Sequence, residues 1–199
     1  MSKFIIIEGT DNTGKDTQQN LIIQNLHNFV FHKVHYSSLP FKNDTEKHTQ
    51  YSTQMYTDMF RMMMELKDKD VNIIFNRSHL GETVYSPLYR GYSGDYVFDI
   101  EKQFANALRE NLYLITLTND AHIIMDRDDG KSFYTNEEEV KAEIDGFNRA
   151  HRLSKIKNKL KINIGTMSAD DISKIIIDFL NHENTITGDP KQLNLFENV

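Results

Sequence analysis

Phe4-Ile5-Ile6-Ile7-Glu8-Gly9-Thr10-Asp11-Asn12-Thr13-Gly14-Lys15-Asp16-Thr17 runs from a short apolar strand into a glycine-bracketed turn and then into a helix. Gly9 and Gly14 enclose four residues and Lys15 follows, the spacing of a Walker A loop. In such a loop successive backbone N–H groups line a concave anion nest, and the lysine reaches the terminal phosphates of a nucleotide. Glycine is needed at both ends because the chain turns sharply and brings its backbone against phosphate. The helix beginning near Gly14 adds its positive end. One position departs from the pattern. The residue after the lysine, ordinarily a Ser or Thr whose hydroxyl binds Mg²⁺, is Asp16, with Thr17 one step further on. A strand-turn-helix with glycines placed only for turning would leave Lys15 unexplained.

Beyond the loop, Leu21, Ile22, Leu26 and Phe29 continue a helical spacing. Short apolar segments predict strands over 3–7, 33–37, 71–75, 112–117 and 160–164, and amphipathic stretches predict helices over 15–29, 45–67, 97–108, 136–152 and 169–180. That alternation specifies an α/β fold: a five-stranded parallel sheet in a three-layer αβα sandwich. Thr135 and Glu138 have capping-box spacing, and Ser168 precedes Asp170 and Asp171 as a helix cap. Between them and the preceding strand, 126–135 is polar and glycine-centred, which suits a mobile lid over a site. The expected organisation is one domain over 1–181 and a polar, turn-rich tail over 182–199.

A chain of 199 residues, 39% of them apolar, can bury one domain-sized core. Its net charge of −6 argues against a general nucleic-acid surface, which needs clustered Lys and Arg. Having no cysteine, it cannot form disulfides, thiolate zinc sites or a cysteine nucleophile. No apolar run approaches the ~18 residues of a membrane span, so the expectation is a soluble, cytoplasmic protein.

A second constellation follows the third predicted strand: Asn76-Arg77-Ser78-His79-Leu80-Gly81-Glu82-Thr83-Val84-Tyr85-Ser86-Pro87-Leu88-Tyr89-Arg90-Gly91. Ligands of open α/β sheets gather at the carboxyl ends of strands, so Arg77 falls on the sheet edge that carries the phosphate loop. Its planar fork matches phosphate bidentately. With this stretch, the chain resembles the thymidylate kinases, P-loop nucleoside monophosphate kinases. Their phosphate loop is matched from Phe4 through Gln18, their Asp-Arg pair by Asn76-Arg77, and a Tyr-x-Gly element by Tyr89-Arg90-Gly91. The wording His79-Leu80-Gly81-Glu82 and Pro87-Leu88-Tyr89-Arg90-Gly91 is most similar to bacteriophage members, for which the compartment would be the host cytoplasm.

The resemblance implies ATP and Mg²⁺ as co-substrate and cofactor, a nucleoside monophosphate as acceptor, and a homodimer. Thr10, Asn12, Thr13, Gly14, Lys15, Asp16 and Thr17 would bind ATP, with Lys15 on the β- and γ-phosphates. Arg77 would clamp the acceptor phosphate, and Asp11 occupies the position that contacts the sugar 3′-hydroxyl. Family members carry a catalytic cation in the phosphate loop or in the lid. No Lys or Arg lies between Gly9 and Gly14, which moves that role to Arg127, with Lys131 behind it. The alternative for Arg127 is a solvated charge beside Asp128 and Asp129.

Three departures stand out. Asp16 replaces the hydroxyl ligand and can hold Mg²⁺ directly, act through water, or leave the role to Thr17. Asn76 replaces the acid paired with Arg77. No arginine stands in Ser37-Ser38-Leu39-Pro40-Phe41, and the family's arginine of the second helix matches Tyr56 without gaps, leaving Arg61 nearby. Phe41, Tyr85 and Tyr89 are candidates to stack on a base and equally suit a core. Arg90 suits a base carbonyl, a phosphate or solvent, and His79 reads as structural rather than as a base. Phe60 through Met64 reads as a buried helix stretch with a potential dimer face. In the tail, Gln192, Leu193, Leu195 and Phe196 resemble the bacterial sliding-clamp-binding pentapeptide, with Asn194 in its variable place.

The implied reaction is transfer from ATP to a deoxynucleoside monophosphate, dTMP first, with a modified or different pyrimidine deoxynucleotide as the alternative. A nucleotide-binding switch is a further alternative, though the chain has neither an Asn-Lys-x-Asp motif nor an Asp-x-x-Gly element after strand three.

Overall fold

Phe4, Ile5, Ile6 and Ile7 have no polar residue among them and form the central strand, β1 (Phe4–Glu8), buried along its whole length. The structure, a computed structural model, describes residues 1–26, 31–35 and 44–182. Strands β2 (Phe31–His35), β3 (Asn72–Asn76), β4 (Leu112–Thr118) and β5 (Asn158–Asn163) complete a five-stranded sheet ordered β2-β3-β1-β4-β5, parallel at every pairing. Side chains alternate across the sheet and divide the core in two. Phe4 and Ile6 face α2 (Thr45–Leu66), α3 (Leu80–Tyr89), α4 (Tyr96–Phe104) and α6 (Glu137–Leu153), meeting Phe60, Met63, Val84 and Phe147. Ile5 and Ile7 face α1 (Lys15–Asn25) and α7 (Ala169–His182), meeting Ile22, Ile172 and Ile176. The three layers are those expected.

Topology places the site. The chain passes from β3 to β4 across β1, so β1 and β3 meet where the strand order reverses, the place where such sheets bind ligands. Ile7 pairs with Asn76, so the loops after the two strands start level. Among the described residues no helix is long and apolar enough to cross a membrane.

Several boundaries differ from expectation. Leu26 leaves the helical region (φ −93°, ψ 66°), ending α1 at Asn25. β2 lies two residues earlier than expected, and α4 ends at Phe104 with turns that carry the buried Leu108. α3 and the short α5 (Ala121–Asp126) have no counterpart in the sequence reading. The cap of α6 is Asn136, which accepts from Glu139 N at 3.0 Å, while the Glu139 carboxylate accepts from Thr135 N. The motif is therefore one residue later than Thr135-x-x-Glu138. Ser168 caps α7 as expected, accepting from Asp171 N at 3.1 Å. On α2, Phe60 and Met63 are buried, and Met62 helps line a groove with Tyr51, Met55 and Met59. Phe29, Phe41, the rest of the 36–43 stretch and the tail motif Gln192 to Phe196 lie outside the described residues.

Candidate active site

Glu8, buried at the end of β1, accepts hydrogen bonds from both Ser78 N (2.8 Å) and Ser78 Oγ (2.9 Å). This carboxylate ties the phosphate loop's strand to the turn after β3. Arg77 sits in that turn with left-handed backbone (φ 70°), its N–H donating to Ile7 O at 2.9 Å. A left-handed conformation costs a non-glycine residue on the order of 1 kcal/mol, and the Glu8–Ser78 pair is what holds it in place. The guanidinium is thereby aimed at the phosphate loop, where it pairs with Asp11. Its buried Nε has no partner among the described residues.

Lys15 is almost fully buried and donates to Gly9 O (2.8 Å) and Thr10 O (2.7 Å), with Asp11 3.8 Å away. Burial lowers its pKa to about 8, and the Arg77 charge adds to the effect. Thr13 Oγ1 also donates to Thr10 O. The loop carbonyls thus occupy the lysine until an anion replaces them. Asp16 and Thr17 are exposed on the first turn of α1, and Asn76 Nδ2 donates to Asp16 Oδ1 at 2.5 Å.

A cavity of about 490 Å³ collects three segments. The loop supplies Asp11, Asn12, Gly14, Lys15, Asp16 and Thr17; β3 and its turn supply Asn76 and Arg77; the 126–135 segment, where a lid is expected, supplies Arg127, Asp129, Lys131 and Ser132. Lys15, Arg77, Arg127 and Lys131, the four residues expected to act in catalysis, therefore line one space. The two lid cations differ. Lys131 is paired with Asp129 at 2.8 Å, whereas Arg127 makes no ion pair among the described residues. Asn12, expected at the nucleotide, sends its side chain to the lid instead: Nδ2 donates to Tyr134 Oη at 2.7 Å, with Asp128 Oδ1 at 3.2 Å and Ser132 Oγ at 3.3 Å. The buried Thr10 contributes its backbone carbonyl to Lys15 and is not among the cavity's lining residues.

Outside the cavity's lining residues, an aromatic wall joins α3 to the 126–135 segment. Tyr85 is buried and Tyr89 half-buried; Tyr89 stacks on Phe133 of the lid (5.3 Å, 24°), and Tyr85 lies 5.9 Å from the same ring. Behind them Tyr89 Oη donates to Glu143 Oε1 at 2.7 Å. Glu143 Oε2 and Tyr85 Oη are buried and unpartnered among the described residues. The sequence reading missed Phe133 and Glu143. A signal for Glu143 existed: it shares the buried face of α6 with Val140, Phe147 and Ala150, an acid on an apolar stripe.

Burial raises the Glu143 pKa to about 7, Asp11 adding to the rise. Because the folded value lies above the ordinary carboxyl value of 4.5, Glu143 favours the fold below that value. The benefit is lost as pH rises through about 7. The loss amounts to up to about 3 kcal/mol. Glu143→Gln keeps an acceptor for Tyr89 and cannot ionise. Thermal unfolding should show the variant gaining on the wild type between pH 5 and pH 8; equal pH slopes would contradict this.

Of the expected acceptor residues, Arg61, Tyr85, Tyr89 and Arg90 do not line the cavity. Arg61 is exposed on α2, paired with Asp58 at 3.3 Å, and Tyr56 on the same helix is buried. Neither lines the cavity. Arg90 donates to Glu82 Oε2 (2.9 Å) and Ser86 Oγ (3.2 Å), in a polar cluster with Tyr92, Tyr96 and His48. His79 is fully buried, with Nε2 2.9 Å from Glu101 Oε2 and its ring edge-on to Phe60. It holds α3 to α4, the structural role expected for it.

No protein-family model matches the chain, and no curated protein does. Solved structures do. YorR of Bacillus subtilis, crystallised with phosphorylated GDP, superposes with a TM-score of 0.68 at 18% identity, over 94% of this chain and 100% of that one. Thymidylate kinase of Candida albicans gives 0.64 at 13% identity, covering 92% of each chain. Deoxyadenosine kinase of M. mycoides, with dCMP and dCDP bound, gives 0.57 at 16%, over 89% and 98%. This chain shares their fold, a five-stranded parallel sheet with helices on both faces. At such identities the likeness extends to the fold alone, and the two kinases among them are named for different acceptors, thymidylate and deoxyadenosine.

Proposed function

We propose that this P-loop kinase fold transfers the γ-phosphoryl group of ATP to a deoxynucleoside monophosphate, with dTMP as the first acceptor and dTDP as product. The observation that carries the reading is the convergence of Lys15, Arg77 and Arg127, which makes no ion pair among the described residues, on one cavity at the reversal of strand order. Against a switch protein, the chain has neither an Asn-Lys-x-Asp motif nor an Asp-x-x-Gly element after strand three. Preference for thymine rests on the resemblance of the sequence motifs and on the aromatic wall of Tyr85, Tyr89 and Phe133. A different or modified pyrimidine deoxynucleotide would suit the same wall.

The acceptor is already an oxyanion at neutral pH, the second pKa of a phosphomonoester being about 6. No side-chain base is therefore required, and catalysis consists of positioning and charge neutralisation. Lys15 exchanges the Gly9 and Thr10 carbonyls for the donor's phosphates. Arg77, whose turn is tied down by the Glu8–Ser78 contacts, offers its guanidinium to the acceptor phosphate, while Asp11 steadies it. Arg127 brings the lid's charge to the transferring group, and the Asn12 contacts to Asp128, Ser132 and Tyr134 hold the lid down against water. The residues also fit Mg²⁺: Asp16 offers a hard oxygen beside the phosphate nest, and Asn76 Oδ1 is buried and unpartnered. Among the described residues no cluster of three His, Cys, Asp or Glu could hold an ion without phosphate, which suits an ion shared with the nucleotide. Bound there, with Thr17 alongside, Mg²⁺ would neutralise charge between the donor's phosphates.

ADP release measured over a panel of nucleoside monophosphates tests the reading. Turnover should rise well above ATP hydrolysis with dTMP and less with purine nucleotides. If no pyrimidine deoxynucleotide accelerated ADP release, the proposal would be wrong.

A further inference from the structure

Asp16 and Asn76 each depart from what a P-loop kinase ordinarily uses, and the fold brings the two departures into contact. In P-loop enzymes the metal is held by a neutral hydroxyl on the loop's helix and an acidic residue at a strand end. Here the helix position is an acid and the residue ending β3 is a neutral amide, hydrogen-bonded to each other at 2.5 Å. The pair therefore carries one negative charge, as the usual arrangement does, with the carboxylate on the other partner.

We propose that Asp16 and Asn76 are an exchanged metal–nucleotide pair, in which the helix supplies the carboxylate and the fully buried strand-end amide orients it. This deepens the kinase reading and rests on it. Three observations support the exchange. The Asn76 side chain has no exposure, and its Oδ1 has no partner among the described residues, although the residue lines the phosphate cavity. Its Nδ2 is committed to Asp16, so the amide cannot rotate to satisfy its oxygen without releasing the carboxylate. Finally, Asp16 stands on the first turn of α1, where an anion is stabilised by the helix end and competes with phosphate for it. An exposed carboxylate in a phosphate nest repels a bare nucleotide and attracts one that carries a divalent cation. The exchange thus makes the loop selective for the metal complex over the free nucleotide.

Binding of ADP, measured by calorimetry with Mg²⁺ or with EDTA and without acceptor, reads this selectivity independently of phosphoryl transfer. The wild type should bind the metal complex at least about 100-fold more tightly than free ADP. Asp16→Asn keeps an oxygen for Asn76 and removes the charge; it should cut that ratio to about tenfold or less, chiefly by tightening metal-free binding. Asn76→Asp alone sets two carboxylates in contact and should lower the melting temperature. Combined with Asp16→Ser it moves the charge back to the strand, and the double variant should recover most of the metal dependence that Asp16→Ser loses. An unchanged ratio in Asp16→Asn, or a double variant no better than Asp16→Ser, overturns the exchange while leaving the kinase reading intact. Failure of the wild type to bind ADP under either condition overturns both.

Discussion

Arg77→Ala is expected to lower kcat/KM for the best monophosphate acceptor by at least about a thousandfold, the scale on which arginines at transferring phosphates act. ATP affinity should stay within about threefold of the wild type, because the donor's phosphates are held by the loop amides and Lys15. The separation follows from position. Arg77 comes from the turn after β3, level with the loop across one strand pairing, and reaches the cavity from outside the phosphate loop. Stability should change little. The guanidinium is part-exposed and its pair with Asp11 is partly screened, and alanine keeps the left-handed backbone cost at this position. Asp11, freed, has Lys15 within 3.8 Å as a second partner. Arg77→Lys keeps the charge and loses the fork, so it should fall between the two, about a hundredfold down. Steady-state kinetics with calorimetry of ATP binding checks all three. A variant with a tenth of wild-type transfer would remove Arg77 from the acceptor site.

Much of this site was legible because it is local. The phosphate loop is one contiguous stretch, and Arg77 follows a strand whose neighbour in a parallel sheet is fixed by topology. What escaped depends on contacts between distant segments. Helix α3 contains Gly81, two β-branched residues and Pro87, each a poor helix former, and it stands because Val84 and Tyr85 pack on α6, where Gly146 has no side chain to collide with Val84. Glu143 and Phe133 belong to segments far from Tyr85 and Tyr89 in sequence, so the aromatic wall appears only once α3, α6 and the lid are assembled. Asn12 reads as a phosphate-loop residue, and nothing local reveals that its amide reaches 116 to 122 residues onward to the lid. Arg61 illustrates the opposite error: a cation in the right helix, on a face that carries it away from the cavity.

Gly9→Ala should be the most destabilising single change in the phosphate loop, costing about 3 kcal/mol or more. Two independent penalties coincide there. The backbone at Gly9 (φ 142°) lies where side-chain-bearing residues are strained. A Cβ at this position would also fall far inside contact distance of the Leu117 carbonyl oxygen, and 3.2 Å from its carbon. Leu117 has little room to yield, since it pairs with Ile162 of β5 and the preceding Thr116 pairs with Glu8 of β1. The clash must therefore displace the loop from the end of the sheet, with Lys15 and its carbonyl partners. Gly14→Ala provides the contrast: its backbone is also left-handed (φ 77°), but nothing lies within 4 Å of the added carbon, so the cost should be limited to about 1 kcal/mol of backbone strain. For a chain of this size the two values correspond to losses of about 6–12 °C and about 2–4 °C in Tm. Urea unfolding followed by circular dichroism separates them. Equal losses for the two variants would mean that the loop does not lean on β4 as described, and that its seat is set by conformation at the glycines alone.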